Sequence, residues 1–161
     1  MAYSIQVTGM EELLNKMDKL PEIADKVAAE ALYEGAGVVA DQVSRAVRGI
    51  ATEPFRYAAG GRTRKPSPEE KAIMQGAAKG ISKFRRDGAS INTSVGIQKA
   101  GYAVLDGKTK PIPLIANAIN SGTSFMKKQP FLRKAFSQSK SKATAAIEAG
   151  IQKRMKEFDI S

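Results

Sequence analysis

Residues 120–136 read Asn-Ser-Gly-Thr-Ser-Phe-Met-Lys-Lys-Gln-Pro-Phe-Leu-Arg-Lys-Ala-Phe. The pair Gly122-Thr123 predicts a turn, because glycine adopts positive φ angles at little cost. Proline is tolerated at the first position of a helix, so Pro130-Phe131-Leu132-Arg133 predicts the start of a C-terminal helix. That helix is amphipathic, and its apolar positions are Phe131, Ala135, Phe136, Ala143, Ile147, Ile151, Met155 and Phe158. The segment therefore predicts a loop that leads into a long closing helix.

At the other end of the chain, the sequence predicts a strand followed by a helix. Tyr3–Val7 alternates between polar and apolar side chains, which is typical of a short strand. Thr8-Gly9-Met10-Glu11 has the pattern of a capping box, in which the Thr hydroxyl and the Glu carboxylate each accept a backbone N–H. Apolar residues then recur at helical spacing, at Met10, Leu13, Leu14, Met17 and Leu20.

Pro21 ends that first helix and begins a second, which the apolar periodicity extends to near Gly49. Two glycines, Gly35 and Gly37, fall in its middle. Each costs about 1 kcal/mol relative to alanine inside a helix. Close packing of another element against this face would offset that cost.

The middle of the chain predicts a loop and a further helix. Gly49–Pro68 is the loop, and its glycine-rich, basic core Tyr57–Pro66 is expected to be mobile. Ser67, Pro68 and Glu70 then predict a capped helix start. We expect this basic helix to span residues 68–87 and to end at Gly88. Its inward residues are predicted to be Ile73, Ala77, Ile81 and Phe84.

Two strands and a short helix complete the prediction. Ala89–Gln98 alternates, with Ile91, Val95 and Ile97 on one face, and Gly101–Leu105 is its expected partner strand. Asp106-Gly107 predicts a turn, and the apolar stretch Leu114–Ile119 predicts one or two helical turns.

These elements indicate an α+β fold, with long N-terminal and C-terminal helices packed on a small antiparallel β-sheet. At 161 residues the chain is expected to form a single domain, residues 1–161. Residues 50–88 are interpreted as a basic loop and helix inserted into that domain.

The composition excludes most enzyme classes. The chain has no Cys and no His, which removes disulfides, thiolate metal sites and the usual general base. A Ser-Lys pair or a carboxylate dyad stays formally possible, but no spacing selects one. Gly35-Ala36-Gly37 and Gly60-Gly61 lack the Gly-Lys-Ser/Thr of a phosphate loop. We therefore expect no catalytic residue, metal or cofactor, and a non-enzymatic protein.

Nothing in the sequence predicts insertion into a membrane. The N-terminus lacks a basic region followed by an apolar run, and no apolar stretch approaches the roughly 18 residues of a membrane span. Synthesis and assembly in the cytoplasm are expected. The terminal helix Lys140–Lys156 is basic and amphipathic, but its apolar face is rich in alanine. We expect that face to pack within the protein or between subunits.

Charge is distributed unevenly along the chain, whose net charge is +10. Residues 1–44 carry three Lys and eight Asp or Glu, whereas residues 45–161 carry 23 Lys or Arg and eight acids. An acidic head and a basic body could attract each other between copies, head to tail. A basic protein can also attract nucleic acid. The third reading is a solvated basic surface without a partner.

The order of motifs resembles the tail-completion and head–tail joining family of long-tailed bacteriophages. In that family a short strand precedes a Gly-hydrophobic-x-x-Leu helix start, matched here by Gly9–Leu13. A long helix, a variable loop, a β-hairpin, a Gly-Thr turn, a Pro-Phe-Leu-Arg element and a terminal helix follow. This chain departs from the family where Glu-Phe is replaced by Asn120-Ser121 and a proline by Lys134.

The resemblance implies a structural virion protein that completes the end of the tail tube and joins it to the head. It implies a six-fold ring of copies in the neck, assembled in the host bacterial cytoplasm, with tail and head-connector proteins as partners. Non-specific contact with DNA is possible. The residues expected to make contacts are Arg62, Arg64, Lys65, Lys127, Lys128 and Arg133. The alternative is a small basic protein that binds nucleic acid non-specifically.

Overall fold

The computed structural model of the protein describes residues 2–7, 21–54, 62–78, 80–81, 85–88, 90–97 and 101–158. The strands in these ranges are β1 (Ala2–Val7), β2 (Arg85–Asp87), β3 (Ser90–Gly96), β4 (Tyr102–Leu105) and β5 (Lys108–Pro111). The helices are α1 (Pro21–Arg48), α2 (Pro68–Ala77), α3 (Ile112–Ser121) and α4 (Phe131–Glu157). Long helices and two small antiparallel sheets confirm the predicted α+β class.

The chain divides into two compact units, each assembled from separate segments. The hairpin unit comprises Met1–Ala2, Ala40–Gly80 and Gly96–Gln138, and the sheet unit comprises Tyr3–Val39, Ile81–Val95 and Ser139–Ser161. The predicted insertion, residues 50–88, is not a unit of its own, because its first part belongs to the hairpin unit and β2 belongs to the sheet unit.

The core of the sheet unit lies along α1. Ala24, Ala28 and Leu32 recur every four residues, which places them on one helix face, and they are buried together with Ile91 of β3. Three partly buried side chains of α4 pack against this cluster, namely Ile147, Ile151 and Met155. The two long helices therefore bury their apolar faces together, as the sequence predicts for the terminal helix.

Gly35 lies at a close approach of α4 to α1. A Cβ atom there would come within 2.7 Å of the Ile147 Cδ1 and 3.1 Å of the Ala143 carbonyl oxygen. Gly37 has nothing within 4 Å of the same added atom. The predicted compensation by close packing is confirmed at Gly35, and it does not apply at Gly37.

The central strand of the three-stranded sheet is β3, flanked by β1 and β2. Ile91, Thr93 and Val95 alternate as buried residues along it, as the period-two pattern predicts. Ile97, just beyond the strand, is also buried. The pairing with β2 is antiparallel and sets Arg86 opposite Ile91.

The predicted basic helix 68–87 is wrong in length, because α2 ends at Ala77. Beyond α2, the Gly80 carbonyl oxygen accepts the N–H of Gly96 at 3.0 Å, and Ile81 forms an isolated antiparallel bridge with Val95. A Cβ atom at Gly80 would collide with the Gly96 carbonyl oxygen, so this approach requires glycine. Ile81, predicted to point inward, is exposed, and the basic pair Arg85-Arg86 lies in β2. Long-range pairing outweighs the local helical pattern here.

The predicted partner of Gly101–Leu105 is also wrong. β4 pairs with β5 through the Asp106-Gly107 turn, with Val104 opposite Thr109. Both turn residues have positive φ, 57° and 68°, which matches the twist of a two-residue hairpin. The two-residue turn between β4 and β5 therefore sets the pairing of β4. The helix α3 follows directly and is longer than predicted.

Within the hairpin unit, α2 packs against α3 and β4, and α3 packs against β5. Several sequence predictions lie outside the described residues. They are the helix that starts at Thr8, the Gly9–Leu13 motif, the loop core from Tyr57 to Gly61, and Phe84.

Candidate interaction surface

The predicted Gly-Thr turn ends α3. Gly122 has a φ of 77°, in the region that favours glycine, and its N–H donates to the Ala118 carbonyl at 2.9 Å. The Thr123 hydroxyl oxygen accepts the Met126 N–H at 3.0 Å, and the Thr123 N–H donates to the Met126 carbonyl at 3.0 Å. These bonds close a tight turn, and Met126 is buried beneath it.

The predicted start of α4 is confirmed and has an additional anchor. Phe131 is buried, as the apolar pattern predicts, and Leu132, which is not one of the predicted apolar positions, is buried as well. The Leu132 N–H donates to the Oδ1 of Asn120, a buried residue at the end of α3, at 3.2 Å. Asn120 thus satisfies a backbone donor in the first turn of α4, a role normally filled by a neighbouring residue. Sequence reasoning missed this role because the two residues are distant in sequence.

Two loops that are distant in the sequence lie side by side. The Arg64 N–H donates to the Phe125 carbonyl, and the Lys127 N–H donates to the Arg64 carbonyl, both at 2.8 Å. Arg64 and Met126 form a parallel bridge. We call residues 62–65 and 125–128 the paired-loop surface. It brings together five of the six predicted contact residues, namely Arg62, Arg64, Lys65, Lys127 and Lys128.

Arg64 differs from the other members, because its side chain is committed within the protein. Its guanidinium donates to both carboxylate oxygens of Glu70, each at 2.8 Å. The Arg64 side chain is 11% exposed and that of Glu70 is 5% exposed. A bidentate pair with so little solvent contact is a structural feature. Arg64, expected from the sequence to be a contact residue, therefore stabilises the fold, and reversing its charge should destabilise the protein.

Glu70 also completes the predicted capping box of α2. Its carboxylate accepts the Ser67 N–H at 2.8 Å, and its own N–H donates to the Ser67 hydroxyl at 3.1 Å. Burial acts to raise the pKa of Glu70, but the hydrogen bonds from Arg64 and Ser67 outweigh burial, so the pKa lies below its ordinary value. Glu70 is therefore ionised at neutral pH and holds Arg64 firmly.

The remaining predicted contact residues face solvent. Arg62, Lys127 and Lys128 are exposed, whereas Lys65 is half-buried beside Glu53, with 3.8 Å between its Nζ and the Glu53 Oε1. Arg133 is exposed on the first turn of α4. Among the described residues, no hydrogen bond joins Arg133 to the paired-loop surface. The exposed charge of that surface thus comes chiefly from Arg62, Lys127 and Lys128.

The net charge of the chain belongs entirely to the hairpin unit. That unit has 15 Lys or Arg and five Asp or Glu, a net charge of +10. The sheet unit has 11 of each sign and a net charge of zero. The division along the sequence, an acidic head and a basic body, therefore becomes a division between a basic unit and a neutral one.

Some of the opposite charges in the sheet unit are paired with one another. Asp25 pairs with Arg86 of β2. Arg154 of α4 donates to Glu30 at 2.6 Å and to Glu34 at 2.7 Å. The hydrogen bond from Arg154 lowers the pKa of Glu34. Three carboxylates of α1 therefore bind cations of their own chain, which reduces the charge left for the expected head-to-tail attraction between copies.

The described part of the chain has neither a membrane-spanning helix nor a cluster of carboxylates that could bind a metal. There, no helix has both the length and the apolar character needed to cross a bilayer. The same residues contain no group of three or more Asp or Glu side chains placed to hold a metal ion.

Comparisons with protein-family models, with curated proteins and with solved structures find no match to this chain. The resemblance to phage tail-completion proteins accordingly stays a prediction, carried by the motifs and by the surface that they form.

Proposed function

We propose that the protein is a structural component of a tailed bacteriophage that completes the end of the tail tube and joins the tail to the head. The observation that carries this proposal is the paired-loop surface. The Gly122-Thr123 turn, part of the signature that resembles the tail-completion family, leads directly into Phe125 and Lys127, whose backbone groups are hydrogen-bonded to Arg64 of the basic loop. Two segments singled out independently in the sequence, by motif and by charge, thus form one surface.

The surface is built for docking onto a preformed neighbour. The Arg64–Glu70 ion pair and the backbone bonds of Arg64 hold residues 62–65 in place, and Thr123 holds the facing loop. Order that exists before binding reduces the entropy lost on association. Arg62, Lys127 and Lys128 then present positive charge from a fixed frame.

Charge also selects among possible neighbours. Two hairpin units at +10 each repel one another, whereas the net-neutral sheet unit exerts no such overall repulsion. In a ring of copies, the hairpin units would therefore avoid direct mutual contact. The proteins above and below the ring, which we propose to be head-connector and tail proteins, would present acidic surfaces to the paired loops.

Electron microscopy of a gene deletion tests the proposal. In the phage or prophage that carries this gene, deletion should leave full heads beside separate tails, and a plasmid copy should restore joined particles. A copy with Arg62→Glu, Lys127→Glu and Lys128→Glu should fail to restore joining. The matched control, Lys140→Glu with Lys142→Glu, reverses exposed charges of the sheet unit and should restore it. Joined virions in the deletion strain would remove the proposal.

Non-specific binding of nucleic acid is the second candidate, and the +10 hairpin unit favours it. Each phosphate contact would add roughly one unit to the slope of log affinity against log salt. A salt titration on random duplex DNA separates the two candidates. Sub-micromolar affinity near physiological salt with a steep slope supports nucleic-acid binding, and weak binding supports the tail role.

A further inference from the structure

The hairpin unit exposes apolar side chains as well as positive charge. In the described part of the chain the four most exposed large apolar residues all belong to this unit, and they are Tyr102, Val104, Leu114 and Phe125. Tyr102 is 72% exposed and Val104 is 64% exposed. Being two residues apart on β4, they lie on one face of the hairpin, opposite Pro111 and Thr109.

The register of the hairpin also determines which backbone groups face outward. A two-residue turn is closed by a hydrogen-bonded pair, here Leu105 and Lys108, and the pairs alternate from there. Tyr102 and Val104 are therefore at the positions whose N–H and C=O groups point away from β5. Among the described residues, no backbone hydrogen bond satisfies these groups. β4 thus combines an open strand edge with an exposed apolar face, which natural proteins generally avoid unless a partner covers it.

Charge identifies the chemistry of that partner. A second copy would bring another hairpin unit of net charge +10 against the first, and like charges disfavour that pairing. Nucleic acid would supply negative charge and a base to stack on Tyr102, but the aliphatic Val104 and Leu114 offer it neither a phosphate donor nor a ring. It also lacks the alternating N–H and C=O groups that pair with an open strand edge. A protein segment that is both acidic and apolar matches all three features, namely the edge, the face and the charge.

We propose that β4 is a docking edge for an extended acidic and apolar segment of a different protein, which adds to the hairpin as a third strand. Main-chain hydrogen bonds to Tyr102 and Val104 would provide affinity, as in other cases of strand addition. The field of the hairpin unit would attract the acidic segment and reject basic ones. This inference uses side chains other than the exposed cations of the paired-loop surface, and it stands or falls separately from the virion role.

A peptide-binding assay tests the inference with the purified full chain. The probe is a fluorescein-labelled peptide of about ten residues, near the length of a long strand, in which Glu and Val alternate. Two comparison peptides alternate Lys with Val and Glu with Ser. Anisotropy titrations should show binding of the Glu-Val peptide only, and its affinity should fall as salt rises from about 50 to 150 mM. Amide exchange at Tyr102 and Val104 should slow when the peptide is bound.

Variants of the edge decide whether β4 is the site. Val104→Pro removes an outward N–H while leaving the β4–β5 ladder intact, and proline is tolerated on strand edges. We expect it to weaken peptide binding by about 10-fold or more, since losing about 1.4 kcal/mol is tenfold. Tyr102→Ser, a second and milder variant, should weaken it in the same direction. Phe158→Ser changes an exposed apolar residue of the sheet unit and should have no effect.

Three results would overturn the inference. The first is Glu-Val binding that is unchanged in both edge variants while circular dichroism shows that they are folded. The second is equal binding of the Glu-Ser peptide, which would mean that charge alone suffices. The third is tighter binding of duplex DNA than of the peptide, together with weaker DNA binding by the Tyr102→Ser variant. That result would make β4 a nucleic-acid-binding surface. Failure of the deletion experiment in the phage affects none of these measurements.

Discussion

Replacing Arg64 by methionine should destabilise the hairpin unit far more than the same change at Arg62, although both residues lie in one basic loop. Arg64 donates two 2.8 Å hydrogen bonds to Glu70, and the two side chains are 11% and 5% exposed. Arg64→Met keeps much of the apolar stem but leaves the Glu70 carboxylate buried without its cation. Arg62 is exposed to solvent.

The expected cost follows from what Glu70 retains. Removing one partner of a buried ion pair costs about 3–5 kcal/mol. Glu70 keeps the hydrogen bond from the Ser67 N–H at 2.8 Å, and it lies at a helix N-terminus, where negative charge is favoured. These interactions offset part of the loss, so we expect Arg64→Met to lower the free energy of unfolding by about 2–3 kcal/mol. Arg62→Met should change it by less than about 0.5 kcal/mol.

Urea denaturation at pH 7, followed by far-ultraviolet circular dichroism, measures both variants. Hydrogen exchange of α2 amides, in parallel, reports whether the loss is local to the hairpin unit. The double variant Arg64→Met with Glu70→Met supplies a further control. Replacing both charges by apolar side chains should recover part of the stability, because Glu70→Met removes the unpaired charge but also gives up the hydrogen bond from the Ser67 N–H. The coupling energy between the two sites should reach about 2 kcal/mol.

A loss below about 0.5 kcal/mol for Arg64→Met, or a loss equal to that of Arg62→Met, would refute the reasoning. Glu70 would then not depend on Arg64, and Arg64 would return to the set of free contact residues. The result also matters for the assembly experiment. If the expected loss is found, a block in head–tail joining by Arg64→Glu would report unfolding and not a lost contact, which is why that substitution is left out of the test variant.

Three further outcomes are expected. The pKa of Glu70 is lowered in the folded protein, so the ionised carboxylate stabilises the fold fully above its unfolded pKa of about 4.3, and this stabilisation is lost as the pH falls further. In urea titrations the difference in stability between wild type and Glu70→Gln should therefore shrink below that pH. A difference that stays constant with pH would contradict this role of Glu70. In thermal melts, Gly35→Ala should destabilise the protein by about 1–3 kcal/mol, because the added methyl group overpacks against α4. Gly37→Ala has open space around the added atom and should stabilise the protein by up to about 1 kcal/mol. Changes of the same sign in both variants would be inconsistent with the packing described. Asn120→Ala removes the acceptor at the start of α4 and should lower the free energy of unfolding in urea by about 1–2 kcal/mol. Asn117→Ala, at an exposed position of the same helix, should lower it by less than about 0.5 kcal/mol. Equal losses in the two variants would argue against the capping role of Asn120.

The paired-loop surface shows how the resemblance and the structure relate. The Gly-Thr motif and the basic loop are separate in the sequence, and they meet because Arg64 is hydrogen-bonded to Phe125 and Lys127, just beyond Thr123. Reasoning from charge alone had treated Arg62, Arg64 and Lys65 as equivalent. The structure separates them by burial, because only Arg64 faces a buried carboxylate.

The sequence by itself determined the features that depend on neighbours within about four residues. Pro21 and Pro130 mark the starts of the long helices, Ser67 and Glu70 form a capping box, and Asp106-Gly107 forms the hairpin turn. These interactions are local, so residue type and spacing are enough to specify them.

Only the tertiary structure decided which distant segments meet. It placed β4 against β5 and ended α2 at Ala77, where a local pattern favoured a longer helix. It also paired Arg64 with Glu70 and gathered the whole net charge into the hairpin unit. A strand edge, a buried cation or a close glycine contact depends on partners that lie far away in the sequence. Packing and desolvation set the free energies of these long-range interactions, and neither can be predicted from a local sequence pattern.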